Sequence, residues 1–185
     1  MPPVLFHFSD RAGLKMFRPR PVAVPARRPP GQDWLNGPLV WAIAPAVAPL
    51  YLFPRDCPRV LIWRRPDSPE ADARRWMPDP DAPMAAFVEA AWLDRLRSTA
   101  LHRYSLPSAT FRDLEDAGMH VSREAVPVLA EARIADLPAA LADRGVTLTA
   151  LPSLAPLRPA WASSLHVSGL RLRNAAGWDA APADA

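Results

Sequence analysis

The chain has 185 residues, a length that suits one domain of ordinary size. Its single cysteine, Cys57, excludes an intramolecular disulfide and a cysteine-based zinc site. No apolar run approaches the roughly 20 residues of a transmembrane helix, so no membrane partner is expected. The 24 prolines are unusual, but seven tryptophans and a 50% hydrophobic content supply apolar mass that disordered chains lack. We expect a folded cytoplasmic protein without a signal peptide.

Basic residues are concentrated near the N-terminus. Residues 1–65 hold ten Arg or Lys and three Asp, whereas residues 66–185 hold twelve Arg and sixteen Asp or Glu. Arginine side chains bind phosphate groups in a forked geometry, so this third of the chain is a candidate for a phosphorylated ligand or nucleic acid. The alternative is an ordinary solvated basic surface, because net charge affects solubility as well as binding.

The proline-rich first part of the chain predicts short strands joined by stiff loops. Segment 18–30 carries five prolines, cannot form a helix and should run extended. Runs of β-branched and aromatic residues predict strands at 4–8, 39–43 and 59–63, and one or two helical turns are expected at 45–53.

The rest of the chain has more regular patterning. Helical spacing of apolar residues predicts a helix over 83–99, with Phe87 and Trp92 packed against a sheet. A short helix is expected at 136–144, capped by Asp136. Strands are predicted at 101–106, 126–134 and 146–151.

The fold class follows from the small number of helices. They are too few for a parallel sheet covered on both faces, so we predict an α+β fold with a mixed or antiparallel sheet. One domain should span residues 1–178, and residues 179–185 should form a frayed tail.

Three of the four histidines occur as His-x-Ser, beginning at His7, His120 and His166. Because residues i and i+2 share a face of a strand, each triplet would present an imidazole beside a hydroxyl, as a polar ligand cradle would. Chance recurrence of so short a pattern is the simpler interpretation. The spacing does not favour a metal site, and none is predicted.

The first strand carries the strongest candidate site. Leu5, His7 and Ser9 should share one face, while Phe6 and Phe8 occupy the other. We expect the phenylalanine face to join the core and the His7 face to line a cleft. The alternative is that His7 is a hydrogen-bonded core histidine.

Three further positions are candidates for chemistry. Trp41 follows an Asn-Gly turn and would suit a planar ligand, although tryptophans are also common in cores. Cys57 stands between Arg55 and Arg59, which would activate a thiolate, unless it is a small buried apolar residue. Glu124 precedes a predicted strand and would reach a cleft, unless it is an exposed loop residue.

Five longer segments together resemble a small bacterial family of unknown function. They begin at Leu5, Phe17, Trp34, Tyr51 and Ser164, and read LFHFSD, FRPRP, WLNGPLVWA, YLFPRDCPR and SLHVSGLRLRN. The resemblance spans nearly the whole chain and implies no activity.

Shorter motifs resemble ADP-ribosyltransferase-like folds, including the RNA 2′-phosphotransferases. Such proteins begin with a strand of the form Leu-Tyr-His-x-Ser/Thr, which Leu5–Ser9 matches, and continue with an aromatic residue followed by Ala, which Trp41 and Ala42 match. The resemblance implies an enzyme acting on NAD or a nucleotide phosphate. It implies catalytic roles for His7 and Glu124, and cofactor binding by His7, Ser9, Arg18, Arg20, Trp41 and Arg55.

Two other functions remain open from the sequence. The basic N-terminal third would serve a non-catalytic module that binds a phosphorylated, nucleotide-like ligand or a nucleic acid. Alternatively, the proline segment 18–30 would dock a partner protein.

Overall fold

The structure, a computed structural model, describes residues 3–179, and twelve strands occur in this range. The strands are β1 (Val4–Ser9), β2 (Met16–Phe17), β3 (Val40–Ile43), β4 (Arg59–Trp63), β5 (Met84–Glu89), β6 (Leu101–Pro107), β7 (Arg112–Asp113), β8 (Met119–Ser122), β9 (Val126–Pro127), β10 (Ala130–Ile134), β11 (Val146–Leu151) and β12 (His166–Leu170).

The helices of the described range are short. The α-helices are α1 (Glu70–Trp76), α2 (Leu93–Ser98) and α3 (Leu137–Ala142). The 3₁₀-helices are Asp33–Asn36, Pro45–Tyr51, Ala90–Trp92, Ala155–Ala162 and Leu172–Asn174. The mixture of short helices with antiparallel and mixed sheets confirms the α+β prediction.

The chain divides into two compact units. Unit 1 comprises the residues up to Tyr51 together with Leu101–Ile134, and unit 2 comprises Leu52–Ala100 together with the residues from Ala135 onward. The prediction of a single domain stays a prediction. The tail predicted to fray lies outside the described residues, except for Asp179.

Unit 1 contains an antiparallel six-stranded sheet in the order β10-β6-β1-β3-β8-β7, and a two-stranded ribbon of β2 with β9. Its main core lies on one face of the large sheet, where Leu5, Tyr104 and Leu106 pack with Phe17 and Val126 of the ribbon. The ribbon therefore covers one face of the sheet.

Unit 2 contains a mixed sheet in the order β11-β5-β4-β12, in which β11 runs parallel to β5. Val60, Ile62 and Phe87 belong to its core. The carboxylate of Asp136 accepts a hydrogen bond from the Ala139 N–H at 2.9 Å, so the predicted cap at the start of α3 is confirmed.

The predicted helix over 83–99 is wrong in its first half. Residues 84–89 form β5, and all six are buried. A strand buried on both faces shows no alternation of apolar and polar residues, so its apolar run imitates a helical pattern. Only α2, after the 3₁₀ turn at Ala90–Trp92, is helical, and Trp92 is half-buried.

The other predicted elements agree with the structure to different degrees. The strands at 4–8, 39–43, 59–63, 101–106 and 146–151 are present within a residue or two, and segment 18–30 contains no helix. The strand predicted at 126–134 is divided into β9 and β10. We did not predict α1, β2, β7, β8 or β12.

Candidate functional site

The strand register of unit 1 defines two faces of the six-stranded sheet. Phe6 is paired with Ile43, Phe8 with Arg103 and Trp41 with Val121. Because paired residues in a ladder point to the same side, Phe6, Phe8, Trp41, Ile43 and Arg103 share one face. We call this side of the sheet the aromatic face.

The opposite face contradicts the expected orientation of the first strand. Leu5 and Ser9 are buried, and Leu5 belongs to the core beneath the ribbon. Phe6 and Phe8 are only half-buried. The core therefore takes the Leu5 face, because Phe17 and Val126 cover that side of the sheet.

A small cavity lies where β1 and β3 separate. These strands share a single paired position, whereas β1 and β6 pair along six residues. The cavity has a volume of about 70 Å³, which suits a small group rather than a whole ligand. Its lining residues are Phe6, His7, Phe8, Trp41, Ala42, Ile43, Tyr51 and Met119.

His7 bridges this separation. Its Nδ1 lies 2.8 Å from the carbonyl oxygen of Trp41, and its ring contacts Phe17 with 4.3 Å between centroids. Because a carbonyl oxygen can only accept, Nδ1 carries the hydrogen in this bond. The imidazole thus binds a backbone group of β3 across the gap between the strands, as expected for a hydrogen-bonded core histidine.

The aromatic rings on and beside the aromatic face lie under arginines. The guanidinium of Arg103 lies 4.4 Å from the ring centre of Phe6, and that of Arg28 lies 5.7 Å from the ring centre of Trp41. Trp34, which packs in the same small cluster as Trp41, has two arginines over its ring. These are Arg112 at 5.5 Å and Arg123 at 5.2 Å. All four distances are within the range of cation–π attraction.

Three buried N–H groups at this face have no hydrogen-bond partner among residues 3–179. They are Nε of Arg28, Nε1 of Trp41 and Nε of Arg103. A fourth buried side-chain nitrogen among the described residues, Nδ1 of His102, lies 2.7 Å from a carboxylate oxygen of Glu131 and so has a partner within the protein. All three groups at the aromatic face are donors, so only acceptor atoms would satisfy them.

Asn36 positions Arg28. Its side-chain amide donates to the Ala26 carbonyl at 2.9 Å and accepts from the Ala26 N–H at 3.0 Å, and its own carbonyl accepts from the Val22 N–H. The Asn-Gly turn therefore fixes the proline segment by its backbone. This attachment places the guanidinium of Arg28 over the ring of Trp41.

The other arginines predicted for the site lie elsewhere. Arg18 and Arg20 are exposed, and the backbone of Arg20 forms a bridge to Leu39. Arg55 is exposed in unit 2, where its carbonyl accepts a hydrogen bond from the Arg171 side chain at 3.2 Å. None of the three lines the cavity with His7 and Trp41.

Glu124 does not line that cavity either. It is exposed after β8, and its N–H donates to the Ser122 hydroxyl at 3.1 Å. The Ser9 hydroxyl accepts from the Arg11 N–H at the same distance. Both serines are the last residues of their strands and bond the N–H two positions later, which is a local turn motif.

In two of the three His-x-Ser occurrences, the serine therefore ends a strand and forms a local turn. The third lies in unit 2, where His166 stacks on Trp63 of the neighbouring strand with 4.0 Å between ring centroids. Within residues 3–179 no group of three or more His, Cys, Asp or Glu is placed to hold a metal ion.

Of the two interpretations of Cys57, an activated thiolate or a small buried residue, the structure supports the second. Cys57 is 0% exposed, and burial raises the pKa of its thiol to about 11, although Arg59 and Arg95 act in the opposite direction. The neutral thiol therefore dominates near neutral pH, and Cys57 lacks the thiolate that a nucleophile requires.

Sequence reasoning missed most of the aromatic face. Arg28, Arg103, Arg112 and Arg123 were not singled out, and Phe6 was assigned to the core. A partial signal existed, because Arg103 lies within a predicted strand, on the face opposite that of His102 and Tyr104. Its position over Phe6 depends on the pairing of β1 with β6, which the pattern did not indicate.

The geometry describes an α+β protein in which one unit presents an arginine-covered aromatic surface. The chain belongs to DUF6886, a family of unknown function whose model matches residues 6–175. This match confirms the resemblance to a family of unknown function. No curated protein and no solved structure matches the chain, so the comparisons lend no support to the resemblance to ADP-ribosyltransferases. None of the helices in residues 3–179 has the length and apolar character needed to cross a membrane.

Proposed function

We propose that unit 1 is a non-catalytic binding module for a planar, phosphorylated ligand of the nucleotide class. The ligand lies against the aromatic face, beside the small cavity between β1 and β3. The observation that carries the proposal is the group of three buried N–H donors without acceptors at Arg28, Trp41 and Arg103.

Unsatisfied buried donors are costly to a fold. Each costs about 1–3 kcal/mol, and native proteins satisfy most of them. Three at one face therefore indicate a ligand that supplies acceptors. Two of the donors belong to arginines, which stay charged, so the favoured acceptors are anionic oxygens such as those of a phosphate.

The aromatic rings determine the rest of the ligand. Phe6, Trp34 and Trp41 are half-buried, and their rings lie under guanidinium groups. Bases stack on aromatic rings and on guanidinium planes alike. A ligand with a planar base and a phosphate uses both features of the face.

Unit 1 carries a net positive charge, as a binding site for an anionic ligand requires. Its sequence holds ten Arg or Lys and seven Asp or Glu, whereas the sequence of unit 2 holds twelve of each. The net positive charge of the chain is thus carried by the unit that presents the aromatic face, and it attracts anionic ligands.

The test compares two tryptophan substitutions. Trp41→Phe keeps an aromatic ring but removes the Nε1–H donor, and the control Trp161→Phe changes a tryptophan of unit 2 that is 43% exposed. Binding of ATP, AMP, adenosine and inorganic phosphate is measured by titration calorimetry. Loss of a hydrogen bond to a charged group costs about 1.5–3 kcal/mol, so Trp41→Phe should weaken ATP binding roughly 10-fold to 100-fold.

Three further results are expected if unit 1 binds nucleotides at the aromatic face. ATP should bind more tightly than adenosine or phosphate alone, and Trp161→Phe should bind as the unmodified protein does. Arg103→Lys, which keeps the charge but loses the planar guanidinium, should also weaken binding. Absence of nucleotide binding at millimolar concentration, or an equal loss in both tryptophan variants, would refute the proposal.

A further inference from the structure

We infer that the ligand of the aromatic face is a single-stranded nucleic acid segment rather than a free nucleotide. The inference rests on the proposed function and extends it to a class of ligand. It follows from the width of the face and from the number of aromatic–arginine pairs.

Three such pairs occur on or beside the face, at Phe6, Trp41 and Trp34. One base covers one aromatic ring, so a mononucleotide would leave two pairs unused. Consecutive bases of a single strand can occupy all three, because every base has a planar surface that stacks without regard to sequence.

The arginines extend across much of the sheet. Arg103 lies on β6 and Arg112 on β7, and the sheet order β6-β1-β3-β8-β7 places four strand spacings between them. At about 4.8 Å per spacing, these strands are about 19 Å apart. Four-stranded sheets that bind RNA stack two or three bases across three such spacings.

The strand must be unpaired for this arrangement to work. Bases in a duplex are stacked on one another and do not offer their planes to a protein surface. Four arginines lie over the three rings. The face therefore contacts phosphates and base planes more than base edges, and little sequence preference is expected.

The experiment measures fluorescence anisotropy of labelled hexamers of uridine and of thymidine, with a 12-base-pair duplex and unlabelled ATP as competitors. Both single strands should bind at least tenfold more tightly than ATP and more tightly than the duplex. Four arginines that neutralise four phosphates predict that log K falls against log salt concentration with a slope of about −3. The ratio of the two hexamer affinities distinguishes RNA from DNA as the source.

A double variant tests whether the ligand extends beyond Trp41. Arg112→Gln with Arg123→Gln removes both exposed arginines over Trp34. The salt slope for a hexamer should fall by roughly 1.4 and its affinity at least tenfold, whereas the affinity for ATP should fall by a smaller factor, because one nucleotide reaches fewer of the rings. The matched control replaces two exposed arginines of unit 2, Arg65→Gln with Arg173→Gln, and should change neither affinity.

The outcomes separate this inference from the proposed function. If ATP binds as tightly as the hexamers, or the double variant leaves hexamer binding unchanged, the inference is overturned while nucleotide binding stands. Preference for the duplex also overturns it. If neither ATP nor any hexamer binds, both the inference and the proposed function fail.

Discussion

The two units use their polar side chains differently. In unit 2 the carboxylate of the buried Glu89 accepts the Ala176 N–H at 2.9 Å, and the buried Arg59 donates to the Cys57 carbonyl at 3.0 Å. In unit 1, three buried donors at the aromatic face have no acceptor in the described part of the chain. Charge follows the same division, since the sequence of unit 2 is neutral and that of unit 1 is basic.

This difference separates groups that stabilise a fold from groups available to a ligand. A buried charge that is hydrogen-bonded within its own unit is explained by the fold itself. A buried donor without an acceptor requires another explanation, and a ligand is the one that the arginines and aromatic rings support. The contrast leads to predictions of stability for unit 2 and of binding for unit 1.

The largest stability effect is expected in the core of unit 2. Phe87→Ala should lower the free energy of unfolding by about 3–5 kcal/mol, because Phe87 is buried in β5. Trp92→Ala should cost less than about 2 kcal/mol, because Trp92 is half-buried and contacts the guanidinium of Arg95. Urea unfolding measures both values. A larger cost for Trp92→Ala than for Phe87→Ala would contradict the burial that the structure gives to these two side chains.

A smaller effect concerns acid stability in the same unit. The Ser164 hydroxyl and N–H both donate to Asp72, at 2.7 and 2.8 Å, and hold the pKa of this carboxyl below its ordinary value of 3.8. A lowered pKa in the folded state stabilises the fold above the ordinary value, and this contribution is lost as the pH falls through the folded-state value.

Asp72→Asn should therefore be less stable than the unmodified protein at pH 6, with the difference shrinking toward pH 3. Urea midpoints at several pH values measure this change. The control is Asp67→Asn, at an exposed carboxylate of the same unit. An equal pH dependence in both variants would contradict the assigned role of Ser164.

The smallest expected effect is that native Cys57 does not react with a thiol-alkylating reagent. Because the pKa of the Cys57 thiol is raised to about 11 and the side chain is buried, iodoacetamide at pH 8 should leave native Cys57 unmodified. The urea-unfolded chain should react within minutes, and intact-protein mass spectrometry distinguishes the two. Rapid alkylation of the native protein would restore Cys57 as a reactive residue.

Much of the fold could be predicted from the sequence because its signals are local. The strands β4 and β11 agree with their predicted bounds, and the cap at Asp136 depends only on residues within one helical turn. The prediction failed at β5, where burial on both faces removed the alternation that identifies a strand.

The candidate site was only partly predictable, because local sequence signals identify only some of its residues. Trp41 was identified from its own segment, because an Asn-Gly turn before an aromatic strand is visible in sequence. Arg28 and Arg103 were not identified. Arg28 lies over Trp41 because Asn36 holds the proline segment, and Arg103 lies over Phe6 because of the register of β1 with β6.

The sequence by itself determined the fold class, most strand positions, the family and the basic charge of the N-terminal third. Only the tertiary structure decided which face of β1 joins the core, that Cys57 is buried, and which arginines meet the aromatic rings. The physical reason is that helix caps, turns and strand propensities act between near neighbours in the chain. Register and burial are decided by contacts between distant segments, such as the pairing of β1 with β6.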